Sequence, residues 1–253
     1  MINLVSKRWE LKNIDTVLFD KDGTFIDLHY FWGKMTEMRV NEIIEKFNLP
    51  ADYFSQLCLF LGYDTNSKRM LSDGITALYS RVKIIEIFRD KLKEFNISAT
   101  EEEITKIFDE VSLEFYKDIE KYTKPIDEAI EFIKKLRENG IKVGIVTSDS
   151  IQSTMLTIKN FGWENLFDAV IGRESTKETK ESGIPTKLAL EKLNSNPKNT
   201  VMIGDAPMDY ISAKNAGVNR TILVATGQLT CEELSQTSEY VLKSLGELEC
   251  SKI

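Results

Sequence analysis

Two carboxylates stand two residues apart at the end of an apolar run in the segment Val17–Asp27, which reads VLFDKDGTFID. Asp20 and Asp22 flank Lys21 and are followed by Gly23, a residue that favours a turn. A turn at Gly23 would point the second carboxylate back over the first. One carboxylate could then attack an electrophile while the other moves protons.

Oxygen-bearing side chains also end two later apolar runs, IKVGIVTS and TVMIGD. They are Thr147, Ser148, Asp149, Asp205 and, a few residues further on, Asp209. Ligands of an open parallel sheet bind outside the carboxyl ends of its strands. We therefore expect these hydroxyls and carboxylates to meet the first two carboxylates at one edge of a sheet.

This grouping of oxygen atoms predicts a metal site and a phosphate site. Clustered carboxylates repel one another, and a hard divalent cation relieves the repulsion. Mg²⁺ binds through one or two carboxylates plus substrate phosphate, which suits Asp20 and Asp205 with a backbone carbonyl nearby. The Thr147 hydroxyl and a lysine from TKETKESG, residues 176–183, would complete a pocket for a tetrahedral dianion.

Each of these features taken alone has an ordinary structural explanation. Aspartate after a strand is a common turn or helix-cap residue, threonine favours strands, and a lysine in a charged loop is usually solvated. It is their combination, each after its own apolar strand, that points to phosphate chemistry.

The elements that must position these residues form an α/β pattern. Buried strands are predicted at TVLFD, IKVGIVTS, FDAVIG, TVMIGD and TILVATG. The later runs alternate with helical patterns, one of which has Pro125 at its start and Gly140 after its end. The predicted fold is a Rossmann-like open parallel sheet with helices on both faces.

Residues 28–122 differ, because they carry apolar stripes at helical spacing and no convincing strand. They predict an all-helical domain inserted into an α/β core made of residues 1–27 and 123–253. Helices are expected near 32–47, 51–61 and 74–95, and after Thr100, which forms a capping-box pattern with Glu103.

The inserted domain is expected to close over the strand ends and to set specificity. Candidate substrate contacts are His29, Trp32, Lys68 and Arg69. His29 is the only histidine, and we interpret it as a packing or substrate-lining residue. The presence of a single histidine argues against Ser/His or Cys/His catalysis.

Composition narrows the possible partners and the compartment. The formal net charge of −7, with lysines spread along the chain, argues against nucleic-acid binding. Cys58, Cys231 and Cys250 show no paired metal spacing and suit free thiols in a reducing compartment. No apolar run suits a signal peptide or a membrane span, so we expect a cytoplasmic protein. We also expect a monomer or a small homo-oligomer.

The segments DKDGT, IVTS, the lysine loop and GDAPMD resemble, in this order, the four motifs of the haloacid dehalogenase superfamily of phosphohydrolases. The similarity spans roughly residues 14–27 and 123–245. The helical insertion resembles the type 1 cap of the phosphoglycolate phosphatase and β-phosphoglucomutase branch in its position and helical character.

The resemblance implies a role for each matched residue. Asp20 would be the nucleophile that forms an aspartyl-phosphate, and Asp22 would be the general acid and base. Thr147, with the backbone amide of Ser148, would bind the phosphoryl group. Magnesium would be held by Asp20, the backbone carbonyl of Asp22 and Asp205, with support from Asp209.

The third motif departs from the family pattern, in which the lysine often precedes a proline. Matching the helix that contains ALEKL places the lysine at Lys180, with Lys177 and Lys187 as alternatives. Lys21 stands where the family commonly has an apolar residue; it is expected to face away from the attacking oxygen and is given no role.

The leading hypothesis is a magnesium-dependent phosphatase, a hydrolase that acts on a small phosphorylated metabolite, a phosphate monoester. An intramolecular phosphomutase of the β-phosphoglucomutase type is the alternative, since it would use the same core and differ in how the cap excludes water. A receiver-like signalling module is a distant third, because receivers are compact and need no cap.

Overall fold

The computed structural model describes residues 1–252. The chain divides into two compact units: the core unit, which contains residues 1–27 and the chain from 124 onward, and the inserted unit, residues 28–123. The strands are β1 (Ile2–Val5), β2 (Glu10–Ile14), β3 (Thr16–Phe19), β4 (Tyr63–Asp64), β5 (Arg69–Met70), β6 (Lys142–Val146), β7 (Ala169–Ile171), β8 (Thr200–Gly204), β9 (Thr221–Val224), β10 (Tyr240–Leu242) and β11 (Glu249–Lys252). The α-helices are α1 (Leu28–Lys46), α2 (Tyr53–Phe60), α3 (Ile75–Leu78), α4 (Arg81–Glu94), α5 (Glu101–Lys117), α6 (Ile119–Tyr122), α7 (Asp127–Glu138), α8 (Ile151–Asn160), α9 (Ile184–Lys192), α10 (Pro207–Asn215) and α11 (Cys231–Leu234).

The core unit is built on a six-stranded sheet in the order β10-β9-β8-β3-β6-β7, in which every neighbouring pair is parallel. The predicted α/β class and its five strands are confirmed. Of these six strands, β3 comes first in the chain, and it lies between β6 and β8, so that the carboxyl ends of these three strands are adjacent. This is the position at which an open α/β sheet binds its ligands.

Helices pack against this sheet through apolar faces. The α7 pattern predicted from the sequence buries Ala129, Ile130, Phe132, Ile133 and Leu136. The ring of Phe132 meets that of Phe19 edge-on, with centroids 6.5 Å apart. A second cluster joins Leu18 and Met202 of the central strands to Leu190 and Ala213 of α9 and α10. These contacts fix the strands whose ends carry the polar residues.

A second, antiparallel sheet in the order β11-β1-β2 joins the two ends of the chain. Our strand predictions did not include it. Its strands are short and mostly polar on one side, with Leu4 and Ile14 buried on the other. Pairing between the first and last residues of a chain leaves no local signal in the sequence.

The inserted unit is mainly helical, but it is not all-helical as predicted. Strands β4 and β5, each two residues long, form an antiparallel hairpin. The helix expected over 74–95 is two helices, α3 and α4, because Ser80 is extended and its side chain caps the new helix by accepting from Lys83 N. The capping box of Thr100 and Glu103 at the start of α5 is present as predicted.

Among the described residues, no helix combines the length and the apolar character that crossing a bilayer requires.

Candidate active site

The first motif leaves the sheet through a tight turn directly after β3. The amide of Asp20 still donates to the carbonyl of Ile203, at 2.8 Å, as if the strand continued. The chain then folds back, and the carbonyl of Lys21 accepts from the amides of Phe25 and Ile26, both at 3.1 Å. Gly23 has φ = +86°, a backbone angle at which a residue with a side chain would be strained. The turn expected at this glycine is therefore present.

A buried lysine lies between two carboxylates at this turn. The Nζ of Lys180 is 2.5 Å from Oδ1 of Asp20 and 2.6 Å from Oδ1 of Asp209. All three side chains are largely buried: that of Asp20 is the most exposed of them, at 12%. The two alternative lysines, Lys177 and Lys187, are exposed. The structure thus brings Lys180 to the first carboxylate.

The loop that carries Lys180 is fixed from both sides. Lys180 begins a short 3-10 helix that ends at Ser182 and is followed by the cap residue Gly183, where φ is +78°. The side-chain amide of Asn215, at the end of α10, donates to the carbonyl of Glu181 at 2.7 Å. Asp209, on the same helix, accepts from the amide of Ala206 with its Oδ2 at 3.1 Å. One helix therefore positions both the lysine loop and its carboxylate partner.

Asp205 follows β8 and lies against two glycines. A Cβ at Gly23 would stand 2.3 Å from its Oδ2, and one at Gly227 only 1.7 Å away. Gly227 belongs to the loop after β9, where the hydroxyl of Thr226 donates to the carbonyl of Gly23 at 2.6 Å. A fourth strand end thus supports the site, and only glycine leaves space for the Asp205 carboxylate there.

Burial and mutual repulsion shift the acidities of these groups. Burial raises the pKa of Asp20 to about 6, although Lys180 counteracts the shift. Burial, with the charges of Asp20 and Asp209, raises the pKa of Asp205 well above its ordinary value. Burial alone would lower the pKa of Lys180, but the carboxylates of Asp20 and Asp209 hold it above its usual range. The Lys180 ammonium thus pairs with two of these three carboxylates, and Asp205 is the third.

This imbalance and the oxygen donors fit a hard cation. Within residues 1–252, no three acidic, histidine or cysteine side chains stand close enough to hold a metal ion by themselves. Mg²⁺ does not require such a set, because it commonly takes one or two carboxylates and completes its shell with water and substrate phosphate. Asp20 and Asp205 are the carboxylates available for it, while both oxygens of Asp209 face Lys180 and Ala206.

Asp22 is held by the residue next to it. The Nζ of Lys21 is 2.5 Å from Oδ1 of Asp22 and 3.1 Å from Oδ2 of Asp149. Burial raises the pKa of Asp22 to about 6, with Lys21 acting in the opposite direction. Burial alone would lower the pKa of Lys21, but Asp22 and Asp149 raise it above its usual range.

The two predicted phosphate-binding residues stand directly after β6. Thr147 is buried, and its Oγ1 accepts from the amide of Asp149 at 3.1 Å. Ser148 is exposed, and its hydroxyl lies 3.7 Å from Sδ of Met208 in the first turn of α10. Both residues therefore stand at the carboxyl edge that also carries the carboxylates.

The predicted substrate contacts all lie in the inserted unit. His29 Nδ1 accepts from the amide of Met70, at 3.0 Å, which ties α1 to the β4–β5 hairpin. Trp32 meets Phe31 edge-on. Lys68 has φ = +56° in the hairpin turn, and Arg69 begins β5; both are exposed. Within its unit His29 thus connects α1 to β5; the two roles predicted for it were packing and substrate lining, and substrate lining stays a prediction.

Three features of the site were not predicted: the ion pair of Lys21 with Asp149, the Thr226 hydroxyl, and Gly227. A lysine inside a motif whose middle position is commonly apolar was the available signal for the first. The glycine at the end of TILVATG was the signal for the last.

Comparison with known proteins agrees with this geometry. The sequence model of the haloacid dehalogenase-like hydrolases matches residues 14–217. A Clostridium perfringens protein provisionally named pyrophosphatase PpaX is 30% identical, with 93% of this chain and 96% of the relative covered. A phosphoglycolate phosphatase of Aquifex aeolicus is 26% identical, with 92% and 93% covered. The crystal structure of a predicted phosphoglycolate phosphatase from Haemophilus somnus superposes with a TM-score of 0.71 at 16% identity, covering 94% of this chain and 97% of that one.

Proposed function

This chain belongs to the haloacid dehalogenase-like hydrolases and is a phosphatase, and we propose that it hydrolyses a small organic phosphate monoester with Mg²⁺ through an aspartyl-phosphate on Asp20. The observation that carries this proposal is the buried Asp20 carboxylate at the end of the central strand. Lys180 pairs with its Oδ1 at 2.5 Å, and a second, largely buried carboxylate, Asp22, stands two residues further on.

The proposed reaction has two steps that share one proton carrier. In the first, Oδ2 of Asp20, the oxygen not paired with Lys180, attacks phosphorus while the bond from phosphorus to the alcohol oxygen breaks. The protonated carboxyl group of Asp22 gives its proton to the departing oxygen. In the second, Asp22 takes a proton from water, which attacks phosphorus and releases phosphate, restoring the Asp20 carboxylate. A pKa near 6 at Asp22 suits both transfers close to neutral pH.

Other residues of the chain hold the phosphoryl group during these steps. The Lys180 ammonium stands beside the nucleophile and offsets negative charge on the phosphoryl oxygens. The Thr147 hydroxyl and the Ser148 amide, at the end of the neighbouring strand, would donate hydrogen bonds to the same oxygens. Asp209 acts through Lys180, whose position it fixes from the opposite side.

Asp20, the Asp22 backbone carbonyl and Asp205 would hold the magnesium ion, with Asp209 in support. When bound, the ion supplies positive charge that draws the phosphate of the substrate to Asp20 and lowers the repulsion between two anions. The geometry supports this assignment, because the buried carboxylates of Asp20 and Asp205 supply oxygen ligands and a bound cation would favour their charged forms.

The inserted unit would choose the substrate, with His29, Trp32, Lys68 and Arg69 as candidate contacts. The names of the relatives suggest which compounds to test first: phosphoglycolate and inorganic pyrophosphate. Hexose phosphates and nucleotides complete a first panel of phosphorylated metabolites.

The test is an Asp20→Asn variant assayed with a chromogenic phosphate ester in magnesium. We expect turnover to fall by roughly 10³-fold or more, about 4 kcal/mol, with the thermal transition retained, because an amide cannot form the acyl phosphate. Asp15→Asn, a change just before β3 and outside the site, is the control. Substantial turnover by Asp20→Asn would exclude Asp20 as the nucleophile. With the metabolite panel, release of phosphate supports hydrolysis, whereas an isomerised sugar phosphate without free phosphate would instead indicate a mutase.

A further inference from the structure

The charged trio of Lys21, Asp22 and Asp149 suggests a role that goes beyond the roles assigned above; Lys21 and Asp149 are buried, and the Asp22 side chain is 12% exposed. We propose that Lys21 is a positioning residue that holds the Asp22 carboxylate in place, with Asp149 as its anchor. The inference rests on the proposed function of Asp22 as proton carrier. It assigns Lys21, which the sequence analysis left without a role, to the machinery of the reaction.

The geometry of the ammonium group is the first support. The Lys21 side chain is fully buried, and its Nζ bridges Oδ1 of Asp22, at 2.5 Å, and Oδ2 of Asp149, at 3.1 Å. The two carboxylates come from different strand ends, after β3 and after β6. One cation therefore ties the first loop of the site to the second.

The anchor is itself rigid. Oδ1 of Asp149 accepts from the amide of Ser150, at 2.7 Å, and the carbonyl of Asp149 accepts from the amide of Arg173, at 3.0 Å. These bonds leave Oδ2 directed at Lys21. On the other side, the Lys21 carbonyl closes the first turn by accepting from the amides of Phe25 and Ile26. The backbone and the side chain of Lys21 are thus both fixed.

The same contacts reach the phosphate-binding hydroxyl. The amide of Asp149 donates to Oγ1 of Thr147 at 3.1 Å. A continuous series of contacts therefore runs from Thr147 through Asp149 and Lys21 to Asp22. It sets the distance between the group that would hold the phosphoryl oxygens and the group that would move the proton.

Stability alone does not account for a largely buried trio of charges. Apolar side chains of similar volume usually stabilise a fold at least as well as a buried ion pair, because they avoid desolvating the charges. An apolar residue would therefore suffice at position 21 if only packing mattered. Proton transfer, in contrast, depends on holding the donor within hydrogen-bond reach of the departing oxygen.

The test uses two substrates that differ in their need for an acid. The departing oxygen of p-nitrophenyl phosphate leaves without a proton, whereas that of an alkyl ester such as glycerol phosphate requires one. The variants are Lys21→Met, the double variant Lys21→Met with Asp149→Asn, and Asp22→Ala, with Lys83→Met in α4 as the control. The double variant removes both the cation and its anchor, so that Asp149 is not left as an unpaired buried charge.

We expect the double variant to keep a thermal transition close to that of the parent and to lose kcat/KM roughly 10-fold to 10²-fold more for the alkyl ester than for the aryl ester. Lys83→Met should leave the ratio of the two unchanged. An unchanged ratio in a folded double variant, or an equal loss with both esters, would overturn the inference, since a purely structural role lowers both alike. If the double variant is unstable, Asp149→Asn alone decides: a shift of the same sign supports the inference, and an unchanged ratio contradicts it.

Asp22→Ala separates this inference from the proposed function. If Asp22→Ala shifts the ratio strongly and the Lys21 variants do not, Asp22 carries the proton without help from Lys21. If Asp22→Ala itself leaves the ratio unchanged, the assignment of Asp22 as proton carrier fails, and the positioning role fails with it.

Discussion

The core unit buries charged side chains, whereas the inserted unit keeps all of its charged side chains at least partly exposed. In the core unit the buried ones are Asp20, Lys21, Asp149, Lys180, Asp205 and Asp209. In residues 28–123, all of which the structure describes, the buried polar side chains are Thr36, Ser112 and Thr123, none of them charged. The interior of the inserted unit is otherwise apolar, with aromatic rings such as Phe88 and Phe108 packed together.

The difference in buried charge between the two units is not explained by the needs of folding. Burying an ion costs free energy that its partner only partly returns, so buried charges are a poor way to stabilise a fold. All six of these buried ions lie in or next to the motifs at the carboxyl ends of β3, β6 and β8 or in the lysine loop. In the proposed mechanism these buried charges lie at the reacting centre, and the inserted unit, which the structure describes in full, contains no buried charged side chain.

The sharpest test of the comparison removes one buried cation from the core unit. Lys180→Met should lower kcat/KM by roughly 10²-fold to 10³-fold, about 3 to 4 kcal/mol, because Asp20 and Asp209 lose their shared partner and the phosphoryl group loses a cation. Steady-state assays with a phosphate ester measure this. Lys187→Met, an exposed lysine on the helix that follows, is the matched control and should stay within twofold of the parent. Equal losses in the two variants would show that burial does not mark function here.

The converse test removes apolar volume from the inserted unit. Phe88 is fully buried between the rings of Phe60 and Phe108, with centroid distances of 6.2 and 6.1 Å. Phe88→Ala should lower the free energy of unfolding by about 3 to 5 kcal/mol, through lost burial and a cavity. Urea unfolding measures it, and Leu113→Ala, at an exposed position of α5, is the control. At a temperature where the variant remains folded, kcat should stay within about tenfold of the parent; a larger loss would place part of the chemistry in this unit.

How far the sequence predicts each unit follows the same division. Strand β3 and the carboxylates Asp20 and Asp22 could be recognised because a buried strand and a glycine turn are local patterns. The start of α5 was predictable for the same reason, since Thr100 and Glu103 cap it within three residues. The order of the strand-end motifs predicted Asp205 near Asp20 once a parallel sheet was assumed. The choice of Lys180 over Lys177 and Lys187 came from the resemblance to the family.

The missed features depend on residues that lie far apart in the chain. The charge of Lys21 is balanced partly by Asp149, at the end of another strand, and the space for Asp205 depends on Gly227 beyond β9. The sheet that joins β1 and β11 pairs the two chain ends. The local sequence marks Lys21 as unusual at a position that is commonly apolar, but it does not identify the carboxylate from another strand end that pairs with it.

Stabilisation by Mg²⁺ should depend on carboxylates of the core unit and not on those of the inserted unit. Adding Mg²⁺ at about one hundred times its Kd should stabilise the protein by about 2.7 kcal/mol at pH 7.5, measured as a shift in thermal transition. The exposed carboxylate of Asp118 in the inserted unit should not matter, so Asp118→Asn should keep the full shift. Asp205→Asn in the core unit should lose most of it. An undiminished shift in Asp205→Asn would place the ion elsewhere.

The magnesium shift should also depend on pH in a defined direction. Burial raises the pKa of Asp20 from 3.8 to about 6 in the metal-free chain. Proton binding at Asp20 therefore stabilises the fold. This contribution is fully present at a pH below the pKa of Asp20 in the unfolded chain, and it is lost as the pH rises through about 6. Mg²⁺ needs the deprotonated carboxylate, so its stabilising effect should run the opposite way and shrink as the pH falls through about 6.

The smallest effect is expected for an ion pair on the surface of the inserted unit. Lys83 and Glu86 lie one turn apart on α4, with Nζ and Oε1 at 2.8 Å and side chains 47% and 43% exposed. Water and salt screen such a pair, and ordering two long side chains cancels much of the attraction. Lys83→Gln should therefore change the free energy of unfolding by less than about 0.5 kcal/mol and leave kcat/KM unchanged. The geometry resembles that of Lys21 with Asp22, at 2.5 Å, and the difference lies in exposure. If Lys83→Gln were as damaging as a change at Lys21, contact distance and not burial would set the importance of an ion pair in this protein.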